Sequence, residues 1–121
     1  MASSGKTVMV VEDDEASRFA LVSLLEDAGH NVLAASSAKE AVKHLYSRVL
    51  PNLILLDLRL PDKGGDEFAA ELHANPPFKN IPIIVISGYL DSAATLKGVL
   101  ASFEKPIDNS QLLEKISEVL V

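Results

Sequence analysis

The sequence predicts an α/β fold in which helices cover both faces of a doubly wound parallel sheet. Three runs of consecutive apolar residues predict buried strands, near residues 7–11, 53–56 and 83–86. Continuous rather than alternating hydrophobicity is typical of parallel strands that are covered on both faces. Segments with helical periodicity separate these runs, and no repeat or linker divides the chain. We therefore expect one domain at residues 6–121, preceded by a flexible tail at residues 1–5.

The first half of the chain reads as three strands separated by two helices. Gly29 is a typical helix end, and Asp14 is suited to cap the helix before it. Ser37, followed three residues later by Glu40, forms a capping-box pattern that starts the second helix. The predicted elements are a strand at about 6–11, a helix at 15–28, a strand at 32–35, a helix after Ser37 and a strand at 52–57.

The second half of the chain reads as helix, strand, weak helix, short strand and helix. A helix carrying Phe68 and Leu72 ends at Asn75-Pro76-Pro77, because proline cannot continue it. The final helix has the clearest periodicity, and Asp108 is suited to cap it. Between them we predict a strand at about 82–86, a helix within 91–99 and a strand near 101–104.

Composition excludes several classes of protein. The chain has 121 residues, 48% of them hydrophobic, which suffices for a core of its own. A net charge of −6 would repel a phosphate backbone, so we expect no nucleic-acid partner. The absence of cysteine excludes disulfides and thiolate metal sites. No apolar run reaches the roughly 18 residues of a membrane span, and we expect a cytoplasmic protein without a membrane partner.

Polar residues follow the predicted strands at the point where each strand ends. They are Glu12 and Asp13 after the first strand, Asp57 after the third, Ser87 after the fourth and Lys105 after the last. In doubly wound sheets, ligands bind beyond the carboxyl ends of the strands. A single carboxylate after a strand is more often a helix cap, but five such residues at one edge predict a shared site.

The residue types at this edge suit phosphoryl transfer. Crowded carboxylates repel one another unless a cation lies between them, and magnesium accepts a few carboxylates while keeping several waters. Asp57 is then a candidate nucleophile toward phosphorus, because carboxylates form acyl-phosphate intermediates. Lys105 and the Ser87 hydroxyl are candidates to neutralise and bind the phosphoryl oxygens.

From about Lys6 to its C-terminus, the chain resembles a response-regulator receiver domain of two-component signalling. Four short motifs in order carry this resemblance. They are Val10-Val11-Glu12-Asp13-Asp14, Leu55-Leu56-Asp57-Leu58-Arg59-Leu60-Pro61 with Gly65, Ile86-Ser87-Gly88 and Glu104-Lys105-Pro106.

The resemblance implies a flavodoxin-like strand order of 2-1-3-4-5 and a role for each site residue. It implies that Asp57 is the phosphoacceptor, served by Ser87 and Lys105. It also implies that Asp13 binds magnesium directly, that Glu12 helps in part through water, and that Asp57 and the Arg59 backbone carbonyl are further ligands. A receiver domain is not an enzyme, although it would assist its own phosphorylation and dephosphorylation with magnesium.

The sequence departs from the family pattern in its last third. The segment from Ser87 to Lys105 is a few residues shorter than usual, which predicts a shortened fourth helical region. Ser102 stands where the family typically has an aromatic residue that moves on phosphorylation. Phe103 comes one place later and therefore on the opposite face of its strand, where we expect it to be core.

Three functions are compatible with these features. The first is a receiver that accepts a phosphoryl group from a histidine kinase or phosphotransfer protein and signals through altered binding to a downstream protein. The second is a receiver-like interaction module that does not switch by phosphorylation, motivated by Ser102 and the short segment before it. The third, an enzyme or flavin carrier on the same architecture, lacks a glycine-rich phosphate loop after the first strand.

Overall fold

The predicted alternation of strands and helices is present in the structure, a computed structural model that describes residues 6–47, 50–88 and 98–120. The strands are β1 (Thr7–Val11), β2 (Asn31–Ala35), β3 (Leu53–Asp57), β4 (Ile83–Ser87) and β5 (Val99–Glu104). The helices in this part of the chain are α1 (Glu15–Asp27), α2 (Ala38–Leu45), α3 (Gly65–Ala74) and α4 (Asn109–Val119). The tail predicted at residues 1–5 lies outside the described residues. So does most of the shortened helical region predicted within 91–99, and Val99 already belongs to β5.

All five strands are parallel and form one sheet in the order β2-β1-β3-β4-β5. This order confirms the 2-1-3-4-5 topology implied by the sequence. The chain starts in the interior of the sheet, moves to one edge and then crosses back to build the other half. The strand order therefore reverses at β1 and β3, and the carboxyl ends of these two strands border the crevice where such sheets bind ligands.

The sheet divides the hydrophobic core into two layers. Alternate residues of each strand point to opposite faces, so Val8 and Val10 of β1 pack on one side while Met9 and Val11 pack on the other. Helices α2 and α3 cover the face of Met9, and helices α1 and α4 cover the face of Val8. This double cover explains why the strand sequences are continuously apolar.

Strand β5 begins two residues earlier than predicted because it contains a bulge. Ile83 pairs with Val99 and Ile84 pairs with Ala101, so Leu100 has no partner in the ladder. The Leu100 side chain is exposed, and Gly98 ahead of it has a φ of 82°. The bulge at Leu100 lets Val99 join the ladder, and the sequence pattern did not indicate this irregularity.

The predicted helix ends are confirmed. Asp14 and Asp108 precede α1 and α4, and their carboxylates accept hydrogen bonds from the backbone N–H groups of Ser17 and Gln111. Gly29, just after α1, has a φ of 94°, which favours glycine. The longest described helix, α1, has 13 residues, and none in the described part of the chain is long and apolar enough to cross a bilayer.

Phe103 is less buried than the sequence suggested. It is partly exposed and packs with Ala101 against the core layer of α1 and α4, whereas Ser102 pairs with Val85 of the other layer. The predicted alternation of Ser102 and Phe103 is therefore present. Because β5 is an edge strand, its side chains keep solvent contact that a central strand would exclude.

Candidate functional site

The register of the sheet brings the predicted site residues to one level. Val11 pairs with Leu56, so the residues that follow them, Glu12 and Asp57, emerge side by side. Ser87 pairs with Glu104 on the other side, and Lys105 follows directly. The shared site predicted at the carboxyl edge is therefore built from the ends of β1, β3, β4 and β5.

The ammonium group of Lys105 bridges two buried carboxylates. Its Nζ lies 2.6 Å from Oε1 of Glu12 and 3.2 Å from Oδ2 of Asp57. Glu12 is 2% exposed and Asp57 is 7% exposed, whereas the Lys105 side chain is 29% exposed. The ammonium therefore reaches inward to the carboxylates from an open side.

The pKa shifts at this cluster follow from burial and from the charged groups brought together there. Burial raises the pKa of Glu12, and the neighbouring carboxylate of Asp57 raises it further, against hydrogen bonds from Lys105 and the Asp14 N–H. Burial alone would lower the pKa of Lys105, but the hydrogen bond to Glu12 and the charge of Asp57 outweigh it and raise that pKa. The ammonium of Lys105 thus stays charged and faces two carboxyl groups, so acidic groups outnumber basic ones in this cluster.

The loop after Asp57 folds back onto the end of β3. The backbone N–H of Arg59 donates to Oδ1 of Asp57 at 3.0 Å, and the N–H of Gly65 donates to the Leu58 carbonyl at 2.8 Å. A Cβ on Gly65 would lie 2.6 Å from the Asp57 carbonyl oxygen and from Leu58 Cα. Only glycine permits this close approach of α3 to the end of β3, whereas the Arg59 N–H is the backbone group that orients the Asp57 carboxylate.

Ser87 is completely buried at the end of β4 and pairs with Glu104, the residue before Lys105. The Ser87 carbonyl accepts a hydrogen bond of 2.9 Å from the backbone N–H of Lys105. A cis peptide bond joins Lys105 to Pro106. The ends of β4 and β5 are therefore tied together at the position where the two polar side chains emerge.

Asp13 differs from its neighbour Glu12 in being exposed. The guanidinium of Arg18 donates to the backbone carbonyls of Glu12 at 3.0 Å and of Asp13 at 3.2 Å, which fixes this turn at the end of β1. Sequence reasoning missed Arg18. The available signal was its position in the first turns of α1, from which a long side chain reaches back to the end of the preceding strand.

The residues at this edge fit a magnesium ion in their chemistry. Within residues 6–47, 50–88 and 98–120, no group of three or more His, Cys, Asp or Glu side chains is arranged to hold a metal. Magnesium does not need such a group, because it commonly binds through one or two carboxylates and retains water. The excess of acidic groups beside exposed Asp13 is an environment that favours a divalent cation.

A groove opens beside the site, between α1 and the segment that links β5 to α4. Glu12 and Lys105 form its inner end, and Leu24 and Ile107 contribute to its apolar walls. Phe19, on α1, is 73% exposed. Phe19 does not line this groove, so the apolar surface beside the carboxylate cluster is that of the groove walls themselves.

Comparison with known proteins identifies relatives along almost the whole chain. A model of the response regulator receiver domain family matches residues 8–117. The polar-differentiation response regulator DivK of Brucella ovis is 29% identical over 119 residues, which cover 95% of this chain and 96% of DivK. The autoinducer sensor kinase/phosphatase CqsS of Vibrio cholerae is 35% identical over 119 residues, 93% of this chain. The chain spans only 17% of the length of CqsS.

Solved structures share the fold. The receiver domain of a CheY-like protein from Methanospirillum hungatei has a TM-score of 0.85 and 31% identity, with 95% of this chain and 93% of that chain covered. The receiver domain of a sensor histidine kinase from Pseudomonas aeruginosa has a TM-score of 0.85 and 22% identity, with coverage of 95% and 97%. The latter structure has a magnesium ion coordinated in its active site cleft.

The close approach at Gly65 predicts that alanine is not tolerated there. We expect Gly65→Ala to lower the free energy of unfolding by about 1–3 kcal/mol, because the added methyl group must displace backbone atoms. Urea unfolding measures this change. Gly88→Ala is the matched control, since its Cβ would meet nothing within 4 Å. Equal stability of the Gly65→Ala variant and the wild type would contradict the role of this contact.

The raised pKa of Glu12 predicts a specific dependence of stability on pH. A carboxyl group whose pKa is higher in the folded than in the unfolded protein binds more protons when folded. Its contribution is therefore full below the ordinary value of 4.5 and is lost as the pH rises through the higher folded value. We expect urea unfolding in EDTA to show this loss in the wild type and not in Glu12→Gln. Parallel pH profiles for the two proteins would contradict the shift.

Proposed function

We propose that this chain, which belongs to the response regulator receiver domains of two-component signalling, accepts a phosphoryl group on Asp57 in the cytoplasm. Receiver domains interact with histidine kinases or phosphotransfer proteins. The donor is a phosphohistidine of such a kinase or phosphotransfer protein, and the output is altered binding to a downstream protein. The observation that most supports this proposal is the Asp57 carboxylate, buried and held between the Arg59 N–H and the Lys105 ammonium.

In the proposed reaction, an Asp57 carboxylate oxygen attacks phosphorus as the bond from phosphorus to the histidine nitrogen breaks. The electron pair of the broken bond goes to the imidazole nitrogen, and an acyl phosphate forms on Asp57. The hydrogen bond from Arg59 N–H orients the nucleophile before the donor arrives. Such positioning supplies much of the catalysis in phosphoryl transfer, because the protein has little covalent chemistry to perform.

Lys105 and Ser87 are the proposed partners of the phosphoryl oxygens. The ammonium of Lys105 already bonds Oδ2 of Asp57, so a small movement of a flexible side chain would carry it to a phosphoryl oxygen. The Ser87 hydroxyl would donate to another oxygen from the end of β4. On phosphorylation the Lys105 ammonium would leave Glu12 for the phosphoryl group. The cluster would then have two arrangements, with Lys105 paired to Glu12 before phosphorylation and to the phosphoryl group after it.

Magnesium is the proposed cofactor, held by Asp13, Glu12, Asp57 and the Arg59 backbone carbonyl. When bound, it supplies positive charge that offsets the repulsion between the carboxylate and an anionic phosphoryl group. The excess of acidic groups around Glu12 supports this assignment, as does the magnesium ion in the related Pseudomonas aeruginosa domain. The role of the protein residues is to hold the carboxylates in place through the Asp14 and Arg59 N–H groups.

The groove between α1 and the segment after β5 is the proposed approach for the donor. Glu12 and Lys105 contribute to its lining, and the apolar walls that include Leu24 and Ile107 suit contact with a protein rather than a free ion. A donor histidine entering here would meet the carboxyl edge of the sheet without a change in the fold.

Phosphorylation should depend on Asp57 and on magnesium separately, because the nucleophile and the charge compensation are different requirements. We expect acetyl phosphate with magnesium to add one phosphoryl mass to the wild type and none to Asp57→Asn, as measured by intact mass spectrometry. Asp66→Asn is the matched control, since Asp66 is exposed in the first turn of α3. Label on Asp57→Asn, or full labelling in EDTA, would contradict the proposal. A wild type that takes no label would favour the interaction module that does not switch.

The two exposed aspartates after β1 should differ in their effect on magnesium. The Asp14 carboxylate accepts the Ser17 N–H at 2.8 Å as a helix cap, whereas Asp13 is the proposed direct ligand. We expect Asp13→Ala to weaken magnesium binding roughly tenfold and Asp14→Ala to change it much less, by calorimetric titration. The reverse order would mean that the acidic pair is assigned one residue out of register.

A further inference from the structure

A second groove lies between α2 and α3, on the opposite face of the sheet from the donor groove. Two adjoining hollows that share Val42 form this α2–α3 groove. One end is bordered by Lys39, Lys43 and Lys63, and the other by Tyr46 and Phe78. No function described above uses this surface.

The lysine end of the α2–α3 groove carries positive charge that the rest of the site does not neutralise. The ammonium of Lys63 is paired with both carboxylate oxygens of Glu71 at 2.8 Å. Lys39 and Lys43 lie one turn apart on α2, and neither makes an ion pair within the described part of the chain. Two free cations at a groove of a protein with net charge −6 are a local attraction for acidic side chains.

The Asp62 carboxylate beside these lysines is already engaged by the helix. Its Oδ1 and Oδ2 accept the backbone N–H groups of Ala38 at 3.1 Å and Lys39 at 2.9 Å. The hydrogen bond from Lys39 lowers the pKa of Asp62, with a smaller contribution from Ala38, so this carboxylate is ionised and directed at the helix N-terminus. It forms no ion pair with Lys39 or Lys43, and the three ammonium groups that line this hollow outnumber its single carboxylate.

The other end of the α2–α3 groove presents an ordered aromatic surface. The Tyr46 side chain is 65% exposed, yet its ring meets the buried ring of Phe78 edge-on, with centroids 5.2 Å apart and an interplanar angle of 81°. Asn75 Nδ2 also lies 3.4 Å from the Tyr46 hydroxyl. An exposed aromatic ring that is already oriented loses little entropy on binding an apolar side chain.

We propose that the α2–α3 groove docks a segment of a partner protein that carries acidic side chains at one end and an apolar side chain at the other. The acidic side chains pair with Lys39 and Lys43, and the apolar side chain packs on Tyr46 and Phe78. The charge pattern selects a protein rather than a nucleic acid, since two cations on an acidic chain do not compensate a phosphate backbone.

The α2–α3 groove is mechanically connected to the phosphoacceptor loop. Asp62 belongs to the loop whose Arg59 N–H orients Asp57, and the same Asp62 anchors the first residues of α2. A loop movement at Asp57 would therefore shift one wall of the groove. This coupling rests on the proposed phosphorylation of Asp57, whereas the docking itself does not.

Docking is tested on the full chain with two synthetic probes. One is an amphipathic peptide of glutamate and leucine, and the other has lysine in place of glutamate. We expect the acidic peptide to shift NMR amide signals of α2 and α3 and to leave those of α4 unchanged, and the basic peptide to have no effect. Shifts centred on α1 or α4, equal binding of both peptides, or the same shifts with a single-stranded oligonucleotide would overturn the proposal.

Charge-reversal variants on α2 test the groove, and a charge reversal on α4, which covers the opposite face of the sheet, is their control. The double variant Lys39→Glu with Lys43→Glu should bind the acidic peptide about tenfold more weakly than the wild type, or weaker still. Lys115→Glu, an exposed reversal on α4, should leave its affinity unchanged. Tyr46→Ala should lower the affinity for the acidic peptide, whereas Tyr46→Phe should retain it. An equal loss in Lys115→Glu would mean that only net charge matters, and would overturn docking in the groove.

The coupling is tested by titrating the same peptide before and after phosphorylation of Asp57, with the label verified by mass spectrometry. We expect the affinity to change about fivefold or more in the wild type, and to stay constant in Asp62→Ala and Asp62→Asn that carry the same label. A labelled wild type with unchanged affinity would overturn the coupling. A wild type without label would overturn the proposed function and leave docking to be judged by the peptide titrations.

Discussion

The ion pairs of Lys105 with Glu12 and Asp57 are the constraint on which the rest of the structure depends. Burying two carboxylates side by side is unfavourable, and removing the ammonium between them would leave one backbone N–H donor to each as the remaining compensation described above. The three groups come from the ends of β1, β3 and β5, and the backbone ladders set the register that lets them meet. The same contact that satisfies the buried charges also defines the geometry of the site.

The single ammonium of Lys105 compensates the charge of the two carboxyl groups only in part. Burial and the neighbouring Asp57 keep the pKa of Glu12 raised, so the folded protein carries an electrostatic cost at this edge. Any cation that binds here relieves that cost, and the free energy released favours binding. Backbone N–H groups of Asp14 and Arg59 also hold the two carboxylates in orientation, independently of the ammonium.

The sequence was sufficient for features that depend on local pattern. Continuous apolar runs marked the three central strands, and Asp14 and Asp108 marked helix starts, because capping is a contact over three residues. Because parallel strands end at one edge, the sequence predicted that Glu12, Asp57 and Lys105 share that edge. The contact of Lys105 with Glu12 was not predicted, because two strands lie between β5 and β1. The bulge at Leu100 and the reduced burial of Phe103 did not follow, because they depend on the position of β5 at the sheet edge. The contact of Asp62 with α2 spans 24 residues of sequence between a loop and a helix, and no local signal announces it.

The division of the core by the sheet sets a rule for redesign of this protein. Side chains that pack under α2 and α3 belong to one layer, and those under α1 and α4 belong to the other, with the strand backbones between them. A substitution that changes side-chain volume in one layer cannot be compensated by repacking a side chain of the other layer, because the strand backbones lie between them. Compensating substitutions must therefore be sought within the same layer. Either helical face can therefore be resurfaced or grafted as a separate module, while the β3–α3 loop, where Gly65 meets backbone, has to be transferred whole.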